Sequence, residues 1–423
     1  MNRIVTRMPA LIVVCCVLAG CAAAPSTVSV PGYRNRAVTR IEDGIQVSTA
    51  VLSSDESAAV YGVPLADRQI QPVWIEVKNN DDRSYFLLSP GVDPNFFPAS
   101  EAAEAFSGNA ELDRRFRALA FHNPVRPGET VSGFVLTHLN EGAKLVQVDL
   151  VARGRASTFS VLTVVPGFEA DYERSQTFNR IADPQEPTAN YTDDASFRAA
   201  LEALPCCATN ENGSKHGDPL NLVIVGSRDD ALPALVRRGW SLTEQKWSGA
   251  IRRMIGAALS GEPYVNAPVS DLYLFGRAQD IALQKARGDI HQRNHMRLWL
   301  TNMRYHDKLV WVGQISRDIG IRLTWHASTF VTHKIDPDVD EARTALTEDM
   351  TYSQNLTKIG LVTGVGPALE SAPGRNLTTD PYYTDGNRVV LVFDRTPRPL
   401  SEIEVFPWIT PHKVLHVTPG AQQ

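Results

Sequence analysis

Residues 294–301 read NHMRLWLT and alternate between two kinds of side chain. Successive side chains of a β-strand point to opposite faces, so this alternation predicts a strand with two different faces. The aliphatic face carries Met296, Leu298 and Leu300. The other face carries His295, Arg297, Trp299 and Thr301. The aliphatic face is the natural core of a domain, so the second face is either a surface or the wall of a polar pocket.

Strands and helices mix irregularly around this stretch. The continuous apolar run LNLVIVG, residues 220–226, is typical of a strand that is covered on both faces. A helix follows it, with Asp229 or Asp230 as the predicted cap, because an earlier start would place Pro233 deeper inside the helix. With no regular βαβ repeat, the pattern predicts an α+β domain with a mostly antiparallel mixed sheet.

The preceding part of the chain is dominated by alternation of period two. In QPVWIEVKNNDDRSYFLL, residues 71–88, Val73, Ile75 and Val77 share one face, and NNDDR reads as a turn. Further short strands with turn signals continue to about residue 168. This pattern predicts an all-β sandwich, and its strand number suggests an immunoglobulin-like one.

The first residues have a different character. Arg3 and Arg7 precede the apolar stretch PALIVVCCVLAG, residues 9–20, which has the length of a signal-peptide core and is too short to span a bilayer. LAGC, from Leu18 to Cys21, resembles the lipobox of bacterial lipoproteins. The resemblance implies that Cys21 becomes the first mature residue and carries acyl chains that tether it to a membrane. An ordinary secretory signal, or a short anchor left uncut, is the alternative.

The length and the charge of the chain limit its number of domains and its class of binding partner. A chain of 423 residues is too long for one ordinary domain and long enough for two. The formal charge of −5 and the lack of a long Lys/Arg run give no reason to expect nucleic acid as a partner. The predicted division is a lipoprotein signal peptide (1–20), a tether (21–35), a β-sandwich (36–168), a linker (169–199), a C-terminal domain (200–360) and a C-terminal extension with a late strand (361–423).

The stretch THKIDPDVDEAR, residues 332–343, concentrates chemically active side chains. Its three aspartates have the spacing that begins a calcium loop, but Glu341 and Thr347 replace the glycine and the glutamate that such a loop needs. Asp336 followed by Pro337 predicts the cap and first residue of a helix instead.

His333 precedes that predicted helix by three residues. An imidazole beside carboxylates suits a metal ligand or a base held by a carboxylate, and a structural histidine is equally compatible with the pattern. If a divalent metal is bound here, its ligands would be His333, Asp336 and Asp338. No other cofactor is predicted.

The only cysteines after Cys21 are Cys206 and Cys207. Neighbouring cysteines can close only a small strained ring, so they form no disulfide framework. The sequence favours a local or partly buried role over redox chemistry.

Five blocks of the second half resemble, in order, the LssY C-terminal domain family: DPLNLVIVGS, LYLFGRAQDIALQK, NHMRLWL, WVGQISRDIG and THKIDPDVDEAR. The resemblance covers roughly residues 200–360. It implies a bacterial envelope domain that is sometimes attached to membrane segments of phosphatase-like proteins, and it brings no catalytic mechanism. This chain departs from those members because it has a lipobox and a sandwich in front and no phosphatase segment. The polar residues in the matching blocks form the candidate pocket: Arg277, Gln279, Gln284, His295, Arg297, Asp318, His333, Asp336 and Asp338.

Three functional hypotheses follow. The first is a lipid-anchored protein of the bacterial cell envelope, facing the periplasm from the outer membrane, whose pocket binds an anionic envelope ligand or partner through histidine and arginine side chains. The second is an envelope hydrolase, of phosphoesters for example, with His333 as base or metal ligand and Asp336 or Asp338 as its partner. The third is a non-catalytic scaffold. The sequence leaves open whether the protein is an enzyme.

Overall fold

The computed structural model describes residues 32–106, 109–140, 143–166, 189–243, 270–286, 293–323 and 331–408. The described residues are mostly β, with 44% of them in strands and 24% in helices. Several sheets are antiparallel, and one is a half-barrel mixed sheet. The predicted signal peptide and Cys21 lie outside the described residues. None of the helices in the described ranges is long and apolar enough to cross a membrane.

Two antiparallel sheets of the N-terminal half pack face to face as the predicted β-sandwich. The inner face of one sheet carries the predicted row Val73, Ile75 and Val77, which packs with Val146 and Val148 of the other. The strands are β1 (Val38–Glu42), β2 (Ile45–Val51), β3 (Ile70–Asn79), β4 (Phe86–Leu88), β5 (Thr130–His138), β6 (Ala143–Ala152) and β7 (Arg155–Val164). Their order is β1-β2-β3-β5 in one sheet and β4-β6-β7 in the other.

Short helices cover the outer face of the β1-β2-β3-β5 sheet, and the sequence did not predict them. Trp74 points away from the sandwich core, yet it is buried in a cluster with Tyr61, Phe116 and Phe134. Helices this short show too few turns for a clear apolar period. These helices are α1 (Ser54–Tyr61), α3 (Ala99–Glu104) and α4 (Ala110–Leu119). A further short helix, α2 (Ser89–Val92), contacts β6 instead and places Val92 in the core of the sandwich.

The C-terminal half is built on a ten-stranded mixed sheet. The strands of this half are β8 (Ala189–Tyr191), β9 (Cys207–Thr209), β10 (His216–Pro219), β11 (Leu222–Val225), β12 (Ser241–Leu242), β13 (Tyr273–Leu274), β14 (Arg277–Ala278), β15 (Ile281–Ala286), β16 (Arg293–Tyr305), β17 (Lys308–Leu323), β18 (Val331–Ile335), β19 (Leu356–Val362), β20 (Gly374–Arg375), β21 (Pro381–Tyr382), β22 (Arg388–Phe393) and β23 (Glu404–Val405).

The large sheet has the order β12-β15-β16-β17-β11-β22-β19-β23, while β18 pairs with β17 and β8 pairs with β16. Only the pairs β11–β22, β8–β16 and β19–β23 are parallel, so the prediction of a mostly antiparallel mixed sheet is confirmed for the described strands. The sheet takes in β8 from the predicted linker and β22 from the predicted extension. Residues on both sides of 200–360 are therefore part of this fold.

The helices of this half are α5 (Asp194–Glu202), α6 (Arg228–Arg237) and α7 (Val339–Thr351). The prediction that Asp229 or Asp230 caps α6 is wrong, because Ser227 is the cap. The Ser227 hydroxyl accepts from the Asp230 amide at 3.3 Å, and the Asp230 carboxylate accepts from the Ser227 amide at 2.7 Å. This reciprocal pair sets the start of the helix although it leaves Pro233 inside it.

The predicted start of α7 is also wrong. Asp338, and not Asp336, is its cap, since the Asp338 carboxylate accepts from the amides of Asp340 at 3.0 Å and Glu341 at 3.2 Å. Asp336 lies two residues too early for this role, and its carboxylate is bound instead by the Arg317 guanidinium.

The aliphatic face of β16 is core, as the alternation predicts. Met296, Leu298 and Leu300 are buried with Leu235 of α6 and Leu346 of α7. The other face carries two apolar clusters, one in which Phe197 of α5 packs with Val223 and Val310, and a smaller one around Trp299 and Val312. Helices α6 and α7 therefore pack on one face of the sheet, and α5 packs on part of the face that also bears His295 and Arg297.

Arg388, the first residue of β22, is fully buried. Burial lowers the pKa of its guanidinium to about 10. The guanidinium donates to the backbone carbonyls of Leu201 (2.6 Å), Leu204 (3.1 Å), Pro205 (2.5 Å), Leu220 (2.8 Å) and Gly364 (3.3 Å). One side chain thus joins the end of α5, the segment before β11 and the loop after β19.

A second buried cation lies in the sandwich. The Lys144 ammonium donates to the His138 carbonyl at 2.6 Å and to the Gln71 side-chain oxygen at 3.3 Å. Burial lowers the pKa of Lys144 to about 8, and the nearby Asp93 carboxylate acts in the opposite direction. The folded protein therefore releases this proton at a lower pH than the unfolded chain does.

We expect Lys144 to make the free energy of unfolding rise between pH 8 and pH 10.5. In this interval unfolding takes up a proton, so stability increases with pH, by up to about 3 kcal/mol at ~1.4 kcal/mol per pKa unit. Urea unfolding at several pH values measures this slope. Lys144→Met should flatten it, whereas Lys78→Met, an exposed lysine on β3, should not. An equal slope in wild type and Lys144→Met would contradict the assignment.

Candidate functional site

A row of polar side chains crosses three neighbouring strands of the large sheet. In the strand register, His295 of β16 lies opposite Gln284 of β15 and Ser316 of β17. Directly paired residues share a face, so the row lies on the face opposite the aliphatic core. We call this set the polar row: Gln284, Arg293, His295, Arg297, Gln314, Ser316 and Asp318.

His295 and Asp318 form the centre of the polar row. The His295 Nε2 and the Asp318 Oδ2 lie 2.5 Å apart, and the two residues are 6% and 3% exposed. Burial lowers the pKa of His295 below its ordinary value, while the Asp318 carboxylate acts in the opposite direction. The imidazole is therefore largely neutral at pH 7, with its Nε2–H donated to a buried carboxylate.

Arg293 flanks this pair on the same strand. Its guanidinium lies 4.0 Å from the Asp318 carboxylate, and it donates to the Gln284 side-chain oxygen at 3.4 Å. Burial lowers the pKa of Arg293, and Asp318 opposes that shift. The single Asp318 carboxylate thus interacts with two buried side chains, the His295 imidazole and the Arg293 guanidinium.

Arg297 flanks the pair on the other side. Its Nη1 donates to Gln314 at 2.9 Å, and its Nε donates to the Ser270 carbonyl at 3.0 Å. The Arg297 guanidinium also interacts electrostatically with Asp218 on β10. Burial raises the pKa of Asp218, while Arg297 lowers it. The polar row therefore continues towards a buried acid on a different sheet.

Arg277 and Gln279, the first two predicted pocket residues along the chain, form hydrogen bonds outside the polar row. The Arg277 guanidinium donates to both oxygens of Asp280, at 3.0 and 2.8 Å, and to the Leu300 carbonyl at 2.6 Å. Gln279 accepts from the Leu272 amide at 3.0 Å and donates to Asp271 at 3.1 Å. Both residues shape the turn that leads into β15.

The acidic stretch lies on the other side of the sheet. Arg317 alternates with Asp318 along β17 and so faces the helices, where its guanidinium binds Asp336 at 2.5 Å and Glu341 at 2.7 Å. Asp338 caps α7. The backbone of His333 pairs with Ile321, and its side chain lies outside the described part of the structure.

Four of the nine predicted pocket residues, Gln284, His295, Arg297 and Asp318, therefore belong to one row. The structure adds Arg293, Gln314 and Ser316, which continue the same alternation on β16 and β17 and could have been found from it. Asp218 had no such signal, because its approach to Arg297 depends on how two sheets meet.

Metal ligands require donor atoms that converge. Among the residues that the structure describes, one such group stands out, formed by Cys206, Cys207 and His216. The metal set that the sequence suggested, His333, Asp336 and Asp338, stays a prediction, and two of its carboxylates already hold Arg317 and the start of α7.

Comparison with protein families gives one result. Residues 198–387 match the family model described as LssY C-terminus, which confirms the resemblance seen in the sequence. The match includes β15, β16 and β17, which carry the polar row, and it ends one residue before β22 begins. A comparison with curated proteins found no match.

We expect Asp318→Asn to lower the pKa of His295 further, because the variant loses the carboxylate that favours the imidazolium. It should also reduce the free energy of unfolding by about 3–5 kcal/mol, since Arg293 loses its buried counter-charge. NMR titration of the imidazole and urea unfolding measure the two effects.

Asp82→Asn, at a surface carboxylate of the sandwich, is the matched control and should change neither quantity. An unchanged pKa of His295 in Asp318→Asn would show that the two side chains are not coupled.

Proposed function

We propose that this chain, whose residues 198–387 belong to the LssY C-terminus family, is a lipid-anchored bacterial envelope protein that binds an anionic ligand through the polar row. Arg293 and Arg297 supply positive charge, and His295, held by Asp318, supplies a neutral imidazole. The ligand presents a phosphate or carboxylate group, because the planar fork of arginine matches both.

The observation that carries this proposal is the placement of two guanidinium groups on one buried strand face. Arg293 is 1% exposed, and Arg297 lies four residues further along the same face of β16. Burying such charges costs several kcal/mol each before their partners compensate. Next to them, Trp299 and Val312 fill the same face with apolar side chains. The fold can therefore pack this face without charges, which favours a binding role for the polar row.

The charges in the row also favour an anion. Arg293 lies beside Asp318. Burial raises the pKa of Asp218, the acid near Arg297, so this acid gives up its charge more readily. Two acceptors of Arg297 are neutral, the Ser270 carbonyl and the Gln314 side chain. A phosphate or carboxylate can replace neutral acceptors with a charge-assisted pair, which is roughly twice as strong.

We expect inorganic phosphate to bind the full chain and Arg297→Gln to weaken that binding at least tenfold, because the planar fork is lost. Arg297→Lys should weaken it less, since the charge remains. Calorimetric titration measures the affinity. Arg304→Gln, on the same strand beyond the row and bonded to the Asp307 carbonyl, is the matched control and should bind as wild type does.

Equal phosphate affinity in wild type and Arg297→Gln, with both proteins folded, would overturn the role of the row. So would the failure of phosphate and of citrate to bind the wild-type protein at millimolar concentration.

The membrane anchor rests on LAGC, Leu18 to Cys21, which lies outside the described residues. We expect Cys21→Ser to move the protein from the outer-membrane fraction to the soluble periplasmic fraction, because the acyl chains have no other attachment point. Mass spectrometry of the N-terminal peptide should find diacyl or triacyl modification on Cys21 in wild type. Cys206→Ser is the control and should stay membrane-bound; an unmodified Cys21 would refute the anchor.

A hydrolase is the second candidate, and the His295–Asp318 pair is the observation that favours it. A neutral imidazole oriented by a buried carboxylate is the arrangement of a general base. Turnover of p-nitrophenyl phosphate by wild type, lost in His295→Gln, would favour this hydrolase. Phosphate binding without turnover would favour the binding protein.

The sandwich serves as a spacer or a contact surface in either case. An immunoglobulin-like arrangement of its strands belongs to this proposal, and it rests on the strand number and the two facing sheets. A pure scaffold role for both domains remains the outcome if neither phosphate binding nor turnover is measured.

A further inference from the structure

Two adjacent cysteines and a histidine lie together on the small sheet of β9, β10, β13 and β14. Cys206 and Cys207 are joined by a disulfide. One ligand atom from each of Cys206, Cys207 and His216 can be chosen so that all three lie within 4.8 Å of one another. None of these residues belongs to the polar row, so the cluster is a separate site.

Strands β9 and β10 bring His216 close to the two cysteines. His216 lies opposite Thr209, which is two residues from Cys207 on β9, and the pairing is irregular between His216 and Pro219, which lies opposite Cys207. The Cys206 carbonyl accepts from the Leu220 amide at 2.8 Å, just beyond the end of β10. Backbone hydrogen bonds on both sides of the disulfide therefore keep the three residues together whether or not the sulfurs are bonded.

The cluster is open to solvent on one side. Cys207 is buried, Cys206 is half-buried and His216 is exposed. A small reductant or a hydrated cation can therefore reach the sulfurs from the side of His216, while Cys207 anchors the site in the fold.

We propose that this cluster is a redox-gated site for a thiophilic divalent cation, represented by Zn²⁺. In the oxidised protein the sulfurs are bonded to each other and the site is closed. In the reduced protein the two thiolates and the His216 imidazole bind the cation, and a water molecule completes the coordination.

The distances suit such a cation. Zinc binds thiolate sulfur at about 2.3 Å and imidazole nitrogen at about 2.0 Å in tetrahedral geometry, so its ligand atoms lie roughly 3.5–4 Å apart. The three donor atoms here already lie within 4.8 Å of one another. Side-chain rotation that separates the sulfurs after reduction is enough to form the site.

The disulfide joins two residues that are adjacent in the sequence, and this favours its reduction. The Cα atoms are 3.8 Å apart, whereas ordinary disulfides join Cα atoms about 4.4–6.8 Å apart, and departure from that range makes a disulfide easier to reduce. Two thiol molecules of a cellular reductant supply two electrons and two protons. They become one disulfide, the Cys206–Cys207 bond breaks, and two thiols form. Zn²⁺ then displaces both thiol protons to solvent as it binds.

The experiment uses the full chain in two states, as isolated and after treatment with a phosphine reductant that is then removed without air. Zinc binding is titrated by calorimetry, and free thiols are counted on the same samples. We expect the reduced protein to bind one more equivalent of Zn²⁺ than the oxidised protein, and to expose two more thiols.

Variants test whether the additional equivalent of Zn²⁺ binds at the cluster. Cys206→Ser with Cys207→Ser should abolish the additional binding, and His216→Ala should weaken it at least tenfold. His122→Ala, an exposed histidine of the sandwich, is the matched control and should bind as wild type does. Circular dichroism of each variant checks that it is folded.

Equal zinc binding by the oxidised and reduced protein would overturn the proposal, and so would additional binding that survives in folded His216→Ala. Cysteine thiols that stay free in the protein isolated from an oxidising compartment would overturn the gating alone. Loss of zinc binding leaves the phosphate titration untouched, so this test is independent of the polar row.

Discussion

The fold of the C-terminal domain depends on the buried guanidinium of Arg388. Its five acceptors in the described part of the chain are backbone carbonyls, and these hydrogen bonds satisfy the buried guanidinium. Only arginine carries five donors in a fixed planar fork, which suits an array of carbonyls that a lysine could not serve. The Leu201 carbonyl lies in the last turn of α5, and the Leu204 and Pro205 carbonyls follow that helix directly. The same residue begins β22, the strand between β11 and β19. Gly364 is part of this constraint, because a Cβ there would lie 2.6 Å from the guanidinium.

With β22 held in place, the large sheet has two different faces. One face buries aliphatic side chains under α6 and α7. The other face packs under α5 around Phe197, and it carries the polar row on β15, β16 and β17. Apolar burial on both faces stabilises the domain. The two proposed sites meet at β10, since this short strand holds both His216 of the cysteine cluster and Asp218, whose pKa responds to Arg297. A four-residue strand thus lies between a candidate cation site and a candidate anion site.

The two halves of the chain are joined by a second arginine. Arg237 at the end of α6 binds Asp149 of the sandwich at 3.1 and 3.3 Å, and it also donates to the Ser353 carbonyl and the Asn355 side chain. Leu145 of β6 packs in the core of the C-terminal domain. The half-buried position of the ion pair gives it more weight than an exposed pair would have, because water screens it less.

The sequence by itself determined the two faces of β16 and the resemblance to the LssY C-terminus family, which the family model matches over residues 198–387. Both features depend on residues that are neighbours in the chain: the faces follow from alternation along one strand, and the resemblance follows from short blocks in a fixed order. Tertiary structure decided the rest. It placed Asp336 on Arg317 across the sheet from His295, it brought Asp218 to Arg297, and it made Ser227 the cap of α6. It also covered Trp74 with helices and brought His216 to two cysteines. Each of these outcomes depends on which strands pair and where two sheets meet, and such long-range contacts leave no period in the chain.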